Sequence, residues 1–168
     1  VAPRRIALKW PNDICVGGLE DRSTEPRLRK LGGILIETTA MSGSHAVIGI
    51  GLNINRRPER DAGGGASAAA LAELLGRPID RTKVLPAVVG SVIESLAGMN
   101  DDLSGVVKRY RSRCLLQGRQ LSLRQADQVL SGHCVGIADD GALELIVDGS
   151  RQRVRSGEVQ QIRPRPGE

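Results

Sequence analysis

The apolar positions fall into three textures along the chain. From Ile6 to Asn53 they come as short dense runs divided by turns. Ile6–Leu8 leads into Trp10-Pro11-Asn12-Asp13, and Ile14–Val16 follows, so residues 6–10 and 14–16 predict two strands around a sharp turn. Residues 31–38 and 46–53 are almost continuously apolar, as strands covered on both faces are. The short turn between them, 40–45, predicts antiparallel pairing. Residues 17–29 are polar and end in a basic run, which predicts a loop at a hairpin tip, and Gly63–Gly65 predicts a second loop.

From Ser67 the period becomes helical. Ser67 is placed to cap a short helix, Ala68 to Leu75, which Gly76 and Pro78 stop. A longer helix is expected from about Thr82. Its apolar pairs Val84/Leu85, Val88/Val89, Val92/Ile93 and Leu96/Ala97 step by four and predict one buried face, with Pro86 near the first turn, where its missing donor costs little. Leu103, Val106, Val107 and Tyr110 predict another helix ending near Arg113, with a basic outer face read as solvated. From Gly118 the pattern turns to short alternating runs: Leu121–Leu123, Gly132–Ala138, Ala142–Val147, Gln152–Arg155 and Val159–Ile162. Asp139-Asp140-Gly141 and Asp148-Gly149 are hairpin signals between them. Five short strands in so little chain predict a small barrel or sandwich. The boundary falls between Cys114 and Gly118, dividing the chain into residues 1–115 and 116–168.

Composition narrows the picture. The chain has 168 residues, 40% of them hydrophobic, with one Trp, one Tyr and no Phe, so the core must be aliphatic. The charge is 24 − 19 = +5 and the pI about 9.6. That balance suits a phosphate or nucleotide site, nucleic acid, or solubility alone. Basic and aromatic residues do not interleave, so stacking on single-stranded nucleic acid is not indicated. Cys15, Cys114 and Cys134 are widely spaced and, with His45 and His133, form no zinc pattern. Free thiols fit a reducing cytoplasm. No signal peptide or membrane-length apolar run is expected, and hence no membrane partner.

Candidate chemistry gathers near the start. Lys30 stands at the mouth of a strand beside Gly32 and Gly33, where the backbone can approach a ligand closely and the lysine adds a compact positive charge; it reads alternatively as a surface lysine at a strand end. Asn12 and Asp13 sit on a turn that faces out of a strand end, and Asp13 reads alternatively as a simple turn former. Gly49 and Gly51 alternate with Ile48, Ile50 and Leu52, so both leave one face bare, for a ring or ribose or for a packed helix. Asn53, at the strand end, can offer donor and acceptor to a base edge or bond its own backbone. Trp10 reads as core near the site, and Arg163 is left outside it.

Lys9-Trp10-Pro11-Asn12-Asp13, then Lys30-Leu31-Gly32-Gly33-Ile34-Leu35, then Gly49-Ile50-Gly51-Leu52-Asn53-Ile54-Asn55, resemble in kind and order the catalytic domain of biotin protein ligases (biotin–[acetyl-CoA-carboxylase] ligases). The C-terminal strands resemble the SH3-like barrel that ends many members. The resemblance implies an α+β fold related to class II aminoacyl-tRNA synthetases: a mixed, mainly antiparallel sheet packed by helices, followed by the barrel. The family's Gly/Arg-rich biotin loop lies upstream of the first motif and is not in this sequence, so the chain is expected to be the C-terminal part of a larger ligase. Alone, it is expected to be weakly active or inactive, with an apolar strand edge near Ile6–Trp10 and inner helix faces exposed.

The implied reaction joins biotin's carboxylate to the α-phosphate of ATP, giving biotinyl-5′-AMP, and then transfers biotin to a lysine of a biotin carboxyl carrier domain. In that setting Lys30 is expected to stabilise charge at the carboxyl oxygen and α-phosphate, and Asp13 to hold Mg²⁺. Lys9, Asn12, Gly32, Gly33 and Asn53 are expected around the biotin and adenylate. A homodimer is expected to be open to the chain, since an isolated fragment with a bare strand edge can pair with itself. The competing readings are a lipoate–protein ligase, which shares the fold and adenylating chemistry, and a non-catalytic basic binding module.

Overall fold

The computed structural model describes residues 6–17, 28–39, 45–58, 67–99 and 102–163. Most of the expected 17–29 loop, the 40–45 turn and the glycine run lie outside them.

The first unit is an antiparallel sheet in the order β1 (Ile6–Lys9), β2 (Asp13–Val16), β3 (Arg29–Thr39) and β4 (His45–Leu52). A short β5 (Ser67–Ala68) adds a parallel pairing at the start of β3, with Arg29 opposite Ser67 and Lys30 opposite Ala68. That pairing corrects one expectation. Ser67 does not cap a helix: α1 (Leu71–Leu75) begins three residues beyond β5, after Ala70, which offers it no side-chain cap. Its first amides are satisfied by strand-end carbonyls instead, Leu71 N donating to Asn53 O (2.9 Å) and Ala72 N to Ile54 O (2.8 Å). Gly76, at φ +66°, ends it as predicted.

Two further helices follow, α2 (Arg81–Met99), which contains Pro86, and α3 (Leu103–Arg111). Asp102 caps α3 by accepting from Gly105 N at 2.8 Å. The second unit is an antiparallel sheet in the order β10-β6-β7-β8-β9, from β6 (Gln120–Gln125), β7 (Gln128–Ile137), β8 (Leu143–Val147), β9 (Ser150–Val154) and β10 (Glu158–Ile162). All five expected strands are present, and both hairpin signals fall in turns. Asp148 and Gly149 take φ of 50° and 77°, the left-handed pair a two-residue hairpin requires.

The two units share a core. Trp10 and Cys15 pack in one cluster with Leu115, Leu116, Leu123, Leu143 and Leu145. A smaller cluster, Val16, Leu31 and Ala69, seals β3 against the entry to α1.

The apolar faces are less covered than their sequence pattern predicts. Leu35 and Ile36, neighbours on opposite faces of β3, are each 59% exposed. No residue of α2 is buried; Leu85 and Ile93 are 66% and 62% exposed. A cleft of about 860 Å³ separates α2 from the sheet, with Ile34, Ile36, Ile48 and Ile50 on one wall and Val84, Val88 and Val92 on the other. Of each stepped pair the first member, Val84, Val88, Val92 or Leu96, lines that cleft, while Leu85, Val89 and Ile93 stand exposed. At 19 residues and a mean hydropathy of 1.2, α2 is also long and apolar enough to cross a membrane by length and composition, which the sequence reading did not foresee.

Gly32 is the tightest point of the first sheet. A Cβ there would collide with the carbonyl oxygen of Gly51 on the paired strand, a backbone atom that cannot step aside. Gly32→Ala is expected to destabilise the chain by about 1–3 kcal/mol, as overpacking does, read from the midpoint of chemical unfolding.

Candidate active site

The β1–β2 hairpin brings its ends together, Lys9 pairing with Asp13, and β3 runs beside β2 so that Asp13 pairs with Gly33. A register shift between Ile14 and Cys15 separates this part of β2 from the part that pairs with Lys30. The consequence is a carboxylate between two ammonium groups. Asp13 Oδ1 lies 2.5 Å from Lys30 Nζ, and Oδ2 lies 3.9 Å from Lys9 Nζ. Lys9 is only 7% exposed, so Asp13 is the counter-charge that makes its burial tolerable. Two positive charges against one negative leave this group with a net positive charge at a pocket mouth.

The pocket itself, about 450 Å³, opens over the face of the sheet that carries Asn12, Asp13, Lys30, Gly33, Gly49 and Gly51. A neighbouring hollow of about 280 Å³ shares Lys30, Gly33 and Gly51 with it and adds Gly32, Asn53 and Pro58. The floor is bare because Gly33 pairs with Gly51 and Leu35 with Gly49 across β3 and β4. A Cβ on Gly51 would come no nearer than 3.9 Å to its neighbours, and one on Gly49 no nearer than 3.7 Å. The protein's own packing does not demand glycine at either position, so the bare surface is available to a ligand.

The two asparagines are engaged in structure. Asn12 Nδ2 donates to Ile34 O at 2.6 Å while Ile34 N donates to Asn12 O at 3.0 Å, stitching the turn to β3. Asn53 Nδ2 donates to Ala69 O at 3.0 Å and toward Lys30 O at 3.4 Å. It thereby ties the end of β4 to the start of β3, where Lys30 is carried. The alternative of a strand-end Asn that bonds the backbone is the one seen for its donor.

All seven candidate residues, Lys9, Asn12, Asp13, Lys30, Gly32, Gly33 and Asn53, line these two hollows or brace them. Arg163 stays outside, its amide paired with Gln120 O at 2.9 Å. Sequence reasoning missed the supports behind the turn: Trp10 Nε1 donates to Gly141 O at 3.1 Å, and Tyr110 Oη donates to Pro11 O at 3.3 Å. These partners are far apart in sequence, and no local pattern announces them. Among the described residues no group of three or more His, Cys, Asp or Glu side chains could hold a metal ion. Among the described residues Asp13 is the single carboxylate on the pocket.

Residues 118–160 match the biotin protein ligase C terminal domain. Over 97% of its length the chain is 27% identical to a biotin–[acetyl-CoA-carboxylase] ligase of Mycobacterium tuberculosis, covering 56% of that protein. It is 28% identical to the bifunctional ligase/repressor BirA of Escherichia coli, covering 92% of this chain and 46% of that one. Among solved structures, the biotin protein ligase of Aquifex aeolicus in complex with biotin and ATP superposes with a TM-score of 0.70 at 26% identity, over 94% of this chain and 62% of that one. The chain thus spans about half the length of the curated relatives it matches. Fold, motif order and these likenesses agree on the class of fold: an α+β sheet unit, similar to that of biotin protein ligases, joined to a barrel-like C-terminal unit. The chain is related to the biotin protein ligases along nearly its whole length, as the three motifs led us to expect.

Cys15, behind the site on β2, and Cys134, on β7 of the second unit, are both fully buried. Burial, then the Asp13 carboxylate, pushes Cys15 up to about 11, and burial pushes Cys134 up to about 12. In the folded chain at pH 8 both are expected to resist a thiol reagent that labels them at once after unfolding. Each favours the folded state while neutral, so their contribution to stability is complete below the ordinary thiol value of 9.0 and is lost as pH rises through 9 toward 11 and beyond. Unfolding midpoints measured from pH 8 to 11 should fall accordingly.

Proposed function

We propose that this chain carries part of the machinery that attaches biotin to a lysine of a carboxylase carrier domain through biotinyl-5′-AMP, with ATP as the second substrate. The observation that supports it best is the placement of Lys30 Nζ, held by Asp13 at the edge of a glycine floor. In the first step a carboxylate oxygen of biotin attacks the α-phosphorus, the bond to the β-phosphate oxygen breaks, and pyrophosphate leaves. Two anions must meet, and Lys30 supplies a fixed positive charge where the new bond forms. In the second step the ε-amine of the carrier lysine attacks the acyl carbon, the bond to the adenylate oxygen breaks, AMP leaves, and the amine's proton passes to solvent.

Residues 1–115 serve as the catalytic unit in this reading and 116–168 as the terminal barrel. Gly33 and Gly51 allow the nucleotide to lie flat against the sheet. Lys9 keeps the Asp13–Lys30 pair from becoming neutral. Asn12 and Asn53 act through the backbone they brace; Asn53 has both N–H donors engaged and offers adenine its amide oxygen, whereas Asn12 keeps one N–H and its oxygen for a ligand. Mg²⁺ bound chiefly by phosphate oxygens needs little from a protein, and one carboxylate suits it. Asp13 is the residue that would hold it, and the ion would offset phosphate charge. We place the protein in the cytoplasm, which keeps Cys15, Cys114 and Cys134 as free thiols. A homodimer has a surface to use in β4, which among the described residues pairs only with β3.

Biotin-dependent exchange of labelled pyrophosphate into ATP, measured on the encoded protein, tests the reading. Lys30→Ala is expected to lower kcat about a hundredfold or more, the loss typical of one charge-stabilising group. Exchange that ignores biotin, or survives Lys30→Ala unchanged, would overturn it. Gly51→Ala should fold normally and raise KM for ATP about tenfold, because its methyl group stands on the floor rather than in the core.

A further inference from the structure

The turn that presents Lys9, Asn12 and Asp13 is braced from behind by parts of the chain that carry none of the site chemistry. On its outer edge β1 is bonded by the segment after α3: Leu8 N donates to Arg113 O at 2.8 Å and Leu115 N to Leu8 O at 3.0 Å. Trp10, 4% exposed, packs among core residues of the second unit and donates its indole N–H to Gly141 O in the β7–β8 turn. Tyr110, on α3, donates its hydroxyl to Pro11 O. α3 and the β7–β8 turn are themselves joined, because Arg111 donates through Nε to Ile137 O at 2.6 Å and through Nη2 to Asp139 at 2.7 Å.

The β7–β8 turn is closed internally. Gly141 N donates to Ala138 O at 3.0 Å, Ala138 N to Ala142 O at 2.8 Å, and Ala142 N to Asp140 Oδ1 at 3.1 Å, with Gly141 at φ +82°. Such a turn offers its carbonyl in a fixed direction. Consecutive residues of the site turn are thus held from opposite sides. Trp10 and Pro11 are fastened to the second unit and α3, and Asn12 is fastened to β3.

We propose that the β7–β8 turn and Tyr110 are positioning elements for the site: they hold the Lys9–Asp13 turn at the height where Asp13 can grip Lys30. None of these groups touches the pocket, so their effect reaches the substrate only through the turn. The kinetic part of the test rests on the adenylation reading, whereas the structural part does not.

Two substitutions in the full encoded chain separate positioning from mere packing. Gly141→Val forces a branched side chain into a left-handed position and redirects the carbonyl; Tyr110→Phe removes one hydroxyl and keeps the ring. Trp10 is the sole tryptophan, so its indole N–H gives one unambiguous peak in a ¹H–¹⁵N spectrum. Gly141→Val is expected to move that peak and the amide peaks of Asn12 and Asp13, while Ile48 and Ile50 on β4 stay in place. Tyr110→Phe is expected to move Asn12 and Asp13 alone. In biotin-dependent pyrophosphate exchange both should lower kcat, roughly tenfold for Gly141→Val and a few-fold for Tyr110→Phe, with KM for biotin nearly unchanged, as misplacement of reacting groups does.

Amide peaks of Asn12 and Asp13 that do not move in either variant would overturn the proposal whatever the activity. So would moved peaks accompanied by wild-type kcat. If Gly141→Val does not fold, Tyr110→Phe decides alone. A wild-type protein without biotin-dependent exchange removes the adenylation reading and leaves the peak shifts to judge the positioning.

Discussion

One carboxylate organises the site. Asp13 lies between Lys30 and the nearly buried Lys9, and without it two ammonium groups would stand close together at the edge of a sheet. Like charges that close disfavour one another, and the repulsion grows as water is excluded. The pairing therefore does two things at once. It makes burial of Lys9 tolerable, and it points Lys30 along the sheet toward the glycine floor. The features around it serve to keep that carboxylate where it is: the pairing of Asp13 with Gly33, the Asn12 stitch to β3, and the register shift in β2 that lets Asp13 and Lys30 meet from strands whose backbones pair elsewhere.

The glycines around this site have different reasons to be glycine, and the structure separates them. Gly32 has no room for a methyl group because Gly51 O faces it. Gly33 is intermediate, since a methyl there would sit 3.3 Å from Asp13 Oδ1 and disturb the pair. Gly49 and Gly51 could accept a methyl without a clash, so packing does not account for them. Two short glycine motifs thus contain a packing constraint, an electrostatic one and a bare, uncrowded surface.

Much of this was legible in the sequence because the signals are local. Alternation and turn residues located the strands of both sheets, and Asp148-Gly149 fixed a hairpin by its need for left-handed backbone. The three motifs located every described residue of the larger hollow and all but Pro58 and Ala68 of the smaller. Where the sequence reading failed, the cause was a partner that local pattern cannot see. Ser67 has the chemistry of a helix cap, but its backbone was taken by the start of β3, and the carbonyls of Asn53 and Ile54 did the capping. The dense apolar runs of β3 and β4 implied cover on both faces; periodicity reports which side chains avoid water and says nothing of whether something is there to shield them. The bonds from Trp10 to Gly141 and from Tyr110 to Pro11 link distant parts of the chain, and they depend on how the two units meet.

The uncovered helix α2 has a consequence for how the chain comes apart. Its side chains bury nothing completely, so it draws little on the two cores that hold the sheets. A helix supported chiefly by its own backbone bonds, with Pro86 removing one of them, unravels at a cost set by local propensity rather than by the whole molecule. The two sheets, locked to each other through Trp10 and Leu115, open together. The chain is therefore not one cooperative unit. Amide hydrogens along α2 are expected to exchange with solvent through small local openings, and those of β6, β7 and β8 only on global unfolding.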